Sequence, residues 1–150
     1  MNQSPSIHAS AVLVGARAVL IQGPSGSGKS RLALALLQAA AQGLIPFARL
    51  VADDRTHVAA VHGRLLVRPA DALAGLIEMR GLGIQQMPHE PLAVVGLVVE
   101  LGQTDGGRLP EPSTQRTEIA GISLPRLAVA PGAEPLPFVL SVLQTTDSPC

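Results

Sequence analysis

The chain lacks the residues on which disulfide scaffolds and cysteine-based metal sites depend. Its only cysteine, Cys150, is the last residue, so neither an intramolecular disulfide nor a Cys-based zinc site can form. His57, His62 and His89 show no metal-ligand spacing, and we expect them in solvated loops. The sequence therefore offers no candidate zinc site.

An excess of charge of either sign is also absent. The formal net charge is zero at pH 7, which gives no electrostatic footprint for nucleic acid or for an anionic membrane. No uninterrupted apolar run approaches the roughly 18 residues of a membrane-spanning helix, and the N-terminus has no signal-type stretch. We therefore expect a soluble, cytoplasmic protein with no nucleic-acid partner and no membrane partner.

The composition that remains is sufficient for one packed domain. Hydrophobic residues make up 47% and charged residues 15% of the 150 positions, which is typical of a globular chain rather than a disordered one. This length corresponds to about one domain. We expect a single domain over residues 1–150.

The only lysine of the chain lies in a motif that binds nucleotide phosphates. Residues 23–30 fit the pattern G-x-x-x-x-G-K-[ST] at every defined position, and they are Gly23, Pro24, Ser25, Gly26, Ser27, Gly28, Lys29 and Ser30. The glycines let backbone N–H groups converge on phosphate oxygens where a Cβ would obstruct them. Lys29 would neutralise the phosphates, and the Ser30 hydroxyl would ligate Mg²⁺.

The flanks of this phosphate loop meet the structural requirement of the motif. Residues 18–22 are a buried-strand pattern and residues 30–40 are a helix pattern, so the loop would lie at a helix N-terminus, where the helix dipole favours an anion. The alternative is a Gly/Ser-rich turn that matches the motif by chance. The predicted strand and helix on either side of the motif favour a phosphate-binding loop over a chance match.

Two carboxylates follow the next predicted strand. Residues 48–52 are apolar and run directly into Asp53 and Asp54. In open α/β sheets, ligands bind at the carboxyl ends of strands, so both side chains would face the same crevice as the phosphate loop. The alternative is that Asp53 and Asp54 begin a turn, a use for which aspartate is well suited.

The remaining segments predict a strand-rich fold. Residues 7–17 are compatible with two strands joined by a tight turn at 15–17, and residues 56–69 predict a hairpin turning at 62–64. Asp71 resembles an N-cap and predicts a short helix over 72–79. Three further segments are strand-like, at 92–101, 116–129 and 136–143, and the polar stretch 102–113 separates the first two.

Five separated features along the chain occur together, in one order, in a known enzyme family. They are His8, the phosphate loop, Val51-Ala52-Asp53-Asp54, Ile77-Glu78-Met79-Arg80-Gly81-Leu82-Gly83-Ile84, and Ile119-Ala120-Gly121-Ile122-Ser123-Leu124-Pro125. With these, the chain resembles the catalytic domain of HPr kinase/phosphorylase, in a short form without that family's N-terminal domain. The resemblance covers about residues 7–143 and leaves a short tail at 144–150. Its specific part is Glu-x-Arg-Gly-Leu-Gly-Ile, because many unrelated NTPases share the phosphate loop.

The resemblance implies a fold and a reaction. The implied fold is α/β, a P-loop-containing kinase domain similar to phosphoenolpyruvate carboxykinase, with a mixed β-sheet. The implied reaction transfers phosphate from ATP or pyrophosphate to a seryl hydroxyl of the phosphocarrier protein HPr, and phosphorolysis reverses it. ATP and Mg²⁺ are therefore the expected cofactors and HPr the expected partner, and we expect a homo-oligomer.

The resemblance also implies roles for individual residues. His8 and Lys29 match catalytic residues, Ser30 and Glu78 match the Mg²⁺ ligands, and Asp53 matches the residue that takes the seryl proton. Asp54 would orient His8 or a water on Mg²⁺, and Arg80 would pair with phosphate or with Glu78. Arg108 aligns loosely with a catalytic arginine. Without the resemblance, His8 and Glu78 would be interpreted as ordinary surface residues.

One departure from the family bears on the reverse reaction. The late Arg-Pro-Gly-Arg segment of the family, which is linked to dephosphorylation, aligns here with Ala130-Pro131-Gly132-Ala133. Both arginines are missing, and charge-assisted hydrogen bonds to phosphate contribute about 1.5–3 kcal/mol each. We therefore expect impaired phosphorolysis, with ATP-dependent phosphorylation retained.

Two other function classes stay open from the sequence. The first is a small-molecule kinase of the phosphate-loop type, because residues 94–99 form an apolar strand that ends in the acid Glu100; an ordinary core strand explains the same pattern, and no Arg- or Lys-rich lid cluster is found. The second is a nucleotide-binding regulatory module that retains ATP affinity without phosphotransfer.

Overall fold

The computed structural model describes residues 5–103 and 115–146. The strands within these ranges are β1 (Ser6–Ile7), β2 (Ala9–Val14), β3 (Arg17–Gln22), β4 (Ala48–Ala52), β5 (Thr56–Val61), β6 (Arg64–Pro69), β7 (Leu76–Met79), β8 (Gly83–Gln86), β9 (Ala93–Leu101), β10 (Arg116–Ile119) and β11 (Ile122–Val129). The helices are α1 (Lys29–Ala41), α2 (Pro135–Thr146) and a 3₁₀ turn at Asp71–Leu73. None of the described helices is long and apolar enough to cross a membrane.

Nine of the described strands form one mixed sheet, and β7 and β8 form a separate hairpin. The order across the large sheet is β1-β5-β6-β9-β3-β2-β4, and β11 joins it by pairing with β9. Strand β9 is central, because it pairs with β3 and β11 in parallel and with β6 antiparallel. This arrangement is the mixed sheet that the sequence led us to expect.

The strand directions bring several carboxyl ends to one edge of the sheet. Strand β2 is antiparallel to both β3 and β4, so β3 and β4 point the same way. Strands β9 and β11 share that direction, since β9 is parallel to β3 and β11 is parallel to β9. The phosphate loop after β3 and Asp53 after β4 therefore lie at the same edge, where ligands of such sheets bind.

Two apolar clusters form the core. One contains the buried face of α1, with Leu32, Ala33, Leu36 and Ala39 at helical spacing, together with inward-facing residues of the sheet strands. The other contains the remaining inward-facing strand residues, including the fully buried Leu20 and Leu65. Both ends of the phosphate loop are thus anchored in packed elements, because β3 and α1 each contribute to this core.

The structure confirms the strand–loop–helix unit, the strand before Asp53, the strand at 92–101 and the hairpin of β5 and β6. The hairpin turns at His62 and Gly63, within the predicted turn of residues 62–64, and both residues have positive φ. The tight turn between β2 and β3 is also confirmed. The segment 116–129 divides into β10 and β11, which pair antiparallel around a turn with positive φ at Ala120 and Gly121.

The predicted helix over 72–79 is wrong. Asp71 begins only a 3₁₀ turn, which ends before Gly75, where φ is 78°. A Cβ at Gly75 would lie 2.8 Å from His89 Nδ1, so the chain needs glycine to pass this point. Residues 76–79 then form β7 and pair with β8, which buries Ile77.

The predicted strand at 136–143 is also wrong, because these residues belong to α2. Leu136, Val139, Leu140 and Leu143 recur at helical spacing and pack on the core cluster that contains α1. Pro135 begins the helix, a position that proline tolerates well. Helix α2 extends to Thr146, so the expected tail at 144–150 is in part helical, and residues 147–150 lie outside the described residues.

Candidate phosphate-binding site

The phosphate loop connects the last residue of β3 to the first turn of α1. Gly26 and Gly28 have φ values of 80° and 101°, in the region that favours glycine. A Cβ added at Gly23 would lie 2.5 Å from Ser27 Oγ and 3.0 Å from Leu101 Cβ. The local conformation therefore requires glycine at these positions, for the steric reason that the sequence motif suggested.

The polar groups of the loop are arranged to receive an anion. Lys29 is 8% exposed, and its Nζ donates to the carbonyl oxygens of Gly23 at 3.0 Å and Pro24 at 3.2 Å. Ser27 Oγ is buried and has no hydrogen-bond partner among the described residues. Because a buried polar atom without a partner is costly, Ser27 fits a ligand oxygen at this position. Phosphate would supply acceptors for both side chains.

The carboxylate of Asp53 connects the loop to two other segments. Asp53 is 7% exposed, and its Oδ1 accepts hydrogen bonds from Ser30 Oγ at 2.6 Å and from Ser10 Oγ at 2.8 Å. Its Oδ2 accepts the backbone N–H of Glu78 at 3.2 Å. The Asp53 carboxylate thus connects the Ser30 hydroxyl to the backbone N–H of Glu78. The position of Asp53 beside the phosphate loop was expected, because both follow strands that end at the same edge of the sheet.

Ser10 is a residue of this site that the sequence reasoning missed. It is fully buried in β2, and its hydroxyl donates to Asp53 and accepts the backbone N–H of Asp54 at 3.1 Å. The signal in the sequence was a serine inside the apolar run of residues 9–14. A buried hydroxyl must find partners, and these partners are the two aspartates.

Asp54 and His8 lie at the same edge of the sheet but do not join the Asp53 cluster. Asp54 is exposed with φ 67°, and its carbonyl accepts the N–H of Ala9, which follows His8. His8 is exposed, and its Nε2 lies 3.5 Å from Arg55 Nη2. Both side chains are therefore accessible to a substrate at this edge.

Two of the remaining predicted residues, Glu78 and Arg80, lie on the β7–β8 hairpin. The Glu78 side chain is exposed on β7, although its backbone N–H binds Asp53. Arg80 is exposed in the turn that joins β7 and β8. Arg108 lies outside the described residues.

The oxygen donors around Ser30 fit Mg²⁺. Hydroxyl and carboxylate oxygens are ligands that Mg²⁺ accepts, and this ion commonly binds with one or two protein groups, phosphate oxygens and water. Ser30 Oγ and Asp53 Oδ1 are 2.6 Å apart beside the loop. Within residues 5–103 and 115–146, no cluster of three His, Cys, Asp or Glu side chains could hold a metal.

Glu100, the acid near the end of β9, forms an ion pair within the fold. Glu100 Oε1 accepts a hydrogen bond from Arg126 Nε at 2.5 Å, and both side chains are largely buried. Strand β9 is otherwise a core strand with buried residues along most of its length. This ion pair favours the interpretation of residues 94–100 as a core strand rather than as a second metal-binding element.

A cavity of about 610 Å³ adjoins the phosphate loop. Its walls include the loop, residues 31, 32 and 35 of α1, the end of β9 and the connection from β11 to α2. That connection contains Ala130-Pro131-Gly132-Ala133, the segment in which no cation is present.

Comparisons with known proteins find one family model and several relatives that match this chain. The family model for the HPr Serine kinase C-terminal domain matches residues 1–90. The HPr kinase/phosphorylase of Streptococcus thermophilus is 45% identical over 80 residues, which is 53% of this chain and 24% of the relative. That of Streptococcus equinus is 31% identical over 135 residues, 83% of this chain and 41% of the relative. The chain thus spans less than half the length of these curated relatives.

The fold comparison covers nearly the whole chain. The structure of the Hpr(Ser) kinase/phosphatase from Coxiella burnetii matches with a TM-score of 0.75 and 23% sequence identity. The match covers 95% of this chain and 90% of that chain. The mixed sheet with its phosphate loop therefore has the architecture of a known kinase fold.

Proposed function

The chain belongs to the family of the HPr Serine kinase C-terminal domain, and from this membership we propose that it is an ATP-dependent protein serine kinase. Its proposed substrate is a seryl residue of the phosphocarrier protein HPr. The observation that carries the proposal is the contact of 2.6 Å between Asp53 and the phosphate-loop residue Ser30. It joins a candidate proton acceptor to the loop that would bind the phosphates of the donor.

The phosphate loop would bind and orient the donor. Phosphoryl transfer requires charge neutralisation and in-line positioning more than covalent chemistry. Lys29 would exchange its two carbonyl partners for phosphate oxygens, and Ser27 Oγ would gain the partner that it lacks among the described residues. Mg²⁺, held by Ser30 and in our proposal by Glu78, would supply positive charge at the transferring phosphoryl group when bound.

Asp53 would accept the proton of the seryl hydroxyl. Each carboxylate oxygen offers about two acceptor positions. Among the described residues, Oδ1 already has two donors, whereas Oδ2 has only the Glu78 N–H. Oδ2 can therefore accept a hydrogen bond from an incoming hydroxyl, as a general base must.

On the strength of the family resemblance, we propose catalytic roles for His8, Asp54, Arg80 and Arg108. His8 and Asp54 are exposed beside the first residues of β2, which suits contact with a protein substrate. A guanidinium from Arg80 or Arg108 would stabilise negative charge on the transferring group.

Phosphorolysis would be weak in this chain. The connection 130–133 borders the phosphate-loop cavity and carries no cation. Attack by inorganic phosphate needs a second anion held beside the first, and each missing charge-assisted contact costs about 1.5–3 kcal/mol. Rapid phosphate-dependent removal of phosphate from seryl-phosphorylated HPr would overturn this part of the proposal.

The direct test is transfer of label from [γ-³²P]ATP and Mg²⁺ to purified HPr, with a seryl-to-alanyl HPr as the control acceptor. Label that appears on HPr and disappears in the control establishes the kinase. ATP binding without label on HPr would refute the proposal and favour a regulatory nucleotide-binding module. Label on a small molecule in place of HPr would favour a small-molecule kinase.

A further inference from the structure

The β7–β8 hairpin presents apolar side chains to solvent beside the Asp53 carboxylate. Leu82 is 71% exposed and Ile84 is 68% exposed, the two highest values among the exposed large hydrophobic residues of the described chain. The hairpin forms a two-stranded sheet that is separate from the main one. Exposed apolar side chains that lie close together are a feature of protein-binding surfaces.

The turn of the hairpin holds Leu82 in a defined position. The carbonyl of Met79 accepts the backbone N–H of Leu82 at 3.0 Å, and Gly81 has the positive φ, 86°, that a type II turn requires at its third residue. The Leu82 carbonyl in turn accepts the side-chain amide of Gln85 at 3.0 Å. The exposed leucine side chain is therefore carried on an ordered backbone.

Ile84 shares one face of the hairpin with Glu78. The two residues are paired across β7 and β8, and paired residues of an antiparallel ladder lie on the same face with Cβ atoms about 4.5–5.5 Å apart. Both side chains are exposed, whereas the preceding residue of β7, Ile77, is buried on the opposite face. The outward face of the hairpin thus carries an apolar side chain next to the carboxylate that we propose for Mg²⁺.

The backbone of Glu78 also contacts the proposed proton acceptor. Its N–H donates to Asp53 Oδ2 at 3.2 Å. A seryl hydroxyl that donates to the same oxygen at about 2.6–3.2 Å would lie at most about 6.5 Å from the Glu78 nitrogen. A protein partner typically covers about 800 Å² of surface, a disc roughly 16 Å in radius. The outward face of the hairpin falls within that radius of a serine bound at Asp53.

We propose that Leu82 and Ile84 form a docking surface for the protein substrate, and that they contact an apolar patch next to its phosphorylated serine. The inference rests on the proposed function and adds the surface by which the substrate is recognised. HPr is the substrate in that proposal, so HPr is the partner that we assign to this face.

The test measures the transfer of label from [γ-³²P]ATP to HPr over a range of HPr concentrations. The double variant Leu82→Ser/Ile84→Ser should raise the KM for HPr at least about tenfold, because two aliphatic side chains are no longer buried on binding. The kcat should stay within about twofold, since a contact made equally in the ground state and the transition state affects KM alone. The affinity for MgATP in calorimetry should stay within about twofold, because the phosphate loop is unchanged.

Leu44→Ser is the matched control. Leu44 is 53% exposed and lies near the turn between β2 and β3, at the opposite edge of the sheet, so its replacement should leave the KM for HPr unchanged. The conservative variant Leu82→Met/Ile84→Val keeps apolar side chains of similar size and should hold the KM within about threefold. If the double serine variant does not fold, Leu82→Ser alone should raise the KM about three- to tenfold.

The outcomes separate this inference from the kinase proposal. An unchanged KM for HPr in a folded serine variant would overturn the docking surface and leave the kinase intact, as would a fall in kcat with the KM unchanged. Sedimentation velocity at the assay concentration identifies the other occupant: an oligomer that dissociates in the serine variant would assign this face to a second copy of the chain and overturn the inference. Failure of the unaltered chain to label HPr would refute the kinase proposal and the docking surface with it.

Discussion

Replacing Asp53 with asparagine tests both the architecture and the chemistry of the site. The carboxylate receives hydrogen bonds from Ser10, Ser30 and the backbone N–H of Glu78. In Asp53→Asn, the amide oxygen can still accept from the two hydroxyls, but the amide NH₂ then faces the Glu78 N–H. Two donors oppose each other, and a buried donor without an acceptor costs about 1–3 kcal/mol.

This cost is measurable as a change in thermal stability. For a chain of 150 residues, 1 kcal/mol corresponds to a shift in Tm of about 2–4 °C. The expected fall in Tm is therefore about 2–12 °C for Asp53→Asn. Asp54→Asn is the matched control for stability, because Asp54 is exposed with φ 67° and asparagine tolerates that conformation. Its Tm should change little.

The chemical part of the prediction separates binding from transfer. Asp53→Asn should retain MgATP binding, because Lys29 and the loop amides are unchanged. Transfer to HPr should fall at least about 100-fold, the typical contribution of a general base. If the variant lost MgATP binding in parallel with activity, Asp53 would be a metal ligand rather than the proton acceptor. An unchanged transfer rate would refute the assigned role.

Three further substitutions test separate contacts. Lys29→Ala removes the only lysine side chain of the loop and should weaken MgATP binding about 10- to 100-fold in calorimetry; unaltered affinity would contradict the assigned phosphate contact. Gly23→Ala places a Cβ 2.5 Å from Ser27 Oγ and should distort the phosphate loop, so the affinities for MgADP and for pyrophosphate should both fall. If the affinity for only one of the two ligands fell, the expected distortion of the loop would be contradicted. Ser10→Ala should lower the free energy of unfolding in urea by about 1–3 kcal/mol, because Asp53 loses a buried donor and the partly buried N–H of Asp54 loses its acceptor. No change would mean that water replaces the hydroxyl.

The central unit of the fold was predictable because its signals are local. Residues 18–40 contain an apolar strand pattern, the glycines of the loop and a helical pattern. Each of these signals arises from the residues of its own segment. The hairpin of β5 and β6 was predictable for the same reason, since His62-Gly63 supplies a turn with positive φ. When the local signals of a segment agree with one another in this way, its structure can be predicted from its own sequence.

The two wrong predictions concern segments whose structure depends on distant partners. Residues 76–79 form a strand because they pair with β8 and because the backbone N–H of Glu78 donates a hydrogen bond to the carboxylate of Asp53. Neither partner is evident from the segment itself. Residues 136–143 contain β-branched and aromatic side chains that favour strands. Their apolar spacing matches a helix, and the packing of Val139 on the core cluster that contains α1 decides the outcome.

The same distinction applies to the site. The meeting of Asp53 with the phosphate loop followed from the rule that ligand sites lie at the carboxyl ends of strands. The contact of Asp53 with Ser10 did not, because it depends on the pairing of β2 with β4 and on the register shift between Ala11 and Val12. The sequence pattern of a strand predicts which of its faces is buried, whereas the pairing between strands decides which residues lie opposite one another.

Asp53 gives the site a physical link between donor binding and the family-specific hairpin. Its carboxylate accepts hydrogen bonds from α1 through Ser30 and from β7 through Glu78. If the Ser30 hydroxyl turns from Asp53 to a bound metal, Oδ1 loses one of its two donors, whereas Oδ2 keeps its contact with β7. Binding of the donor at the loop would in this way free an acceptor position on the carboxylate that we propose accepts the seryl proton.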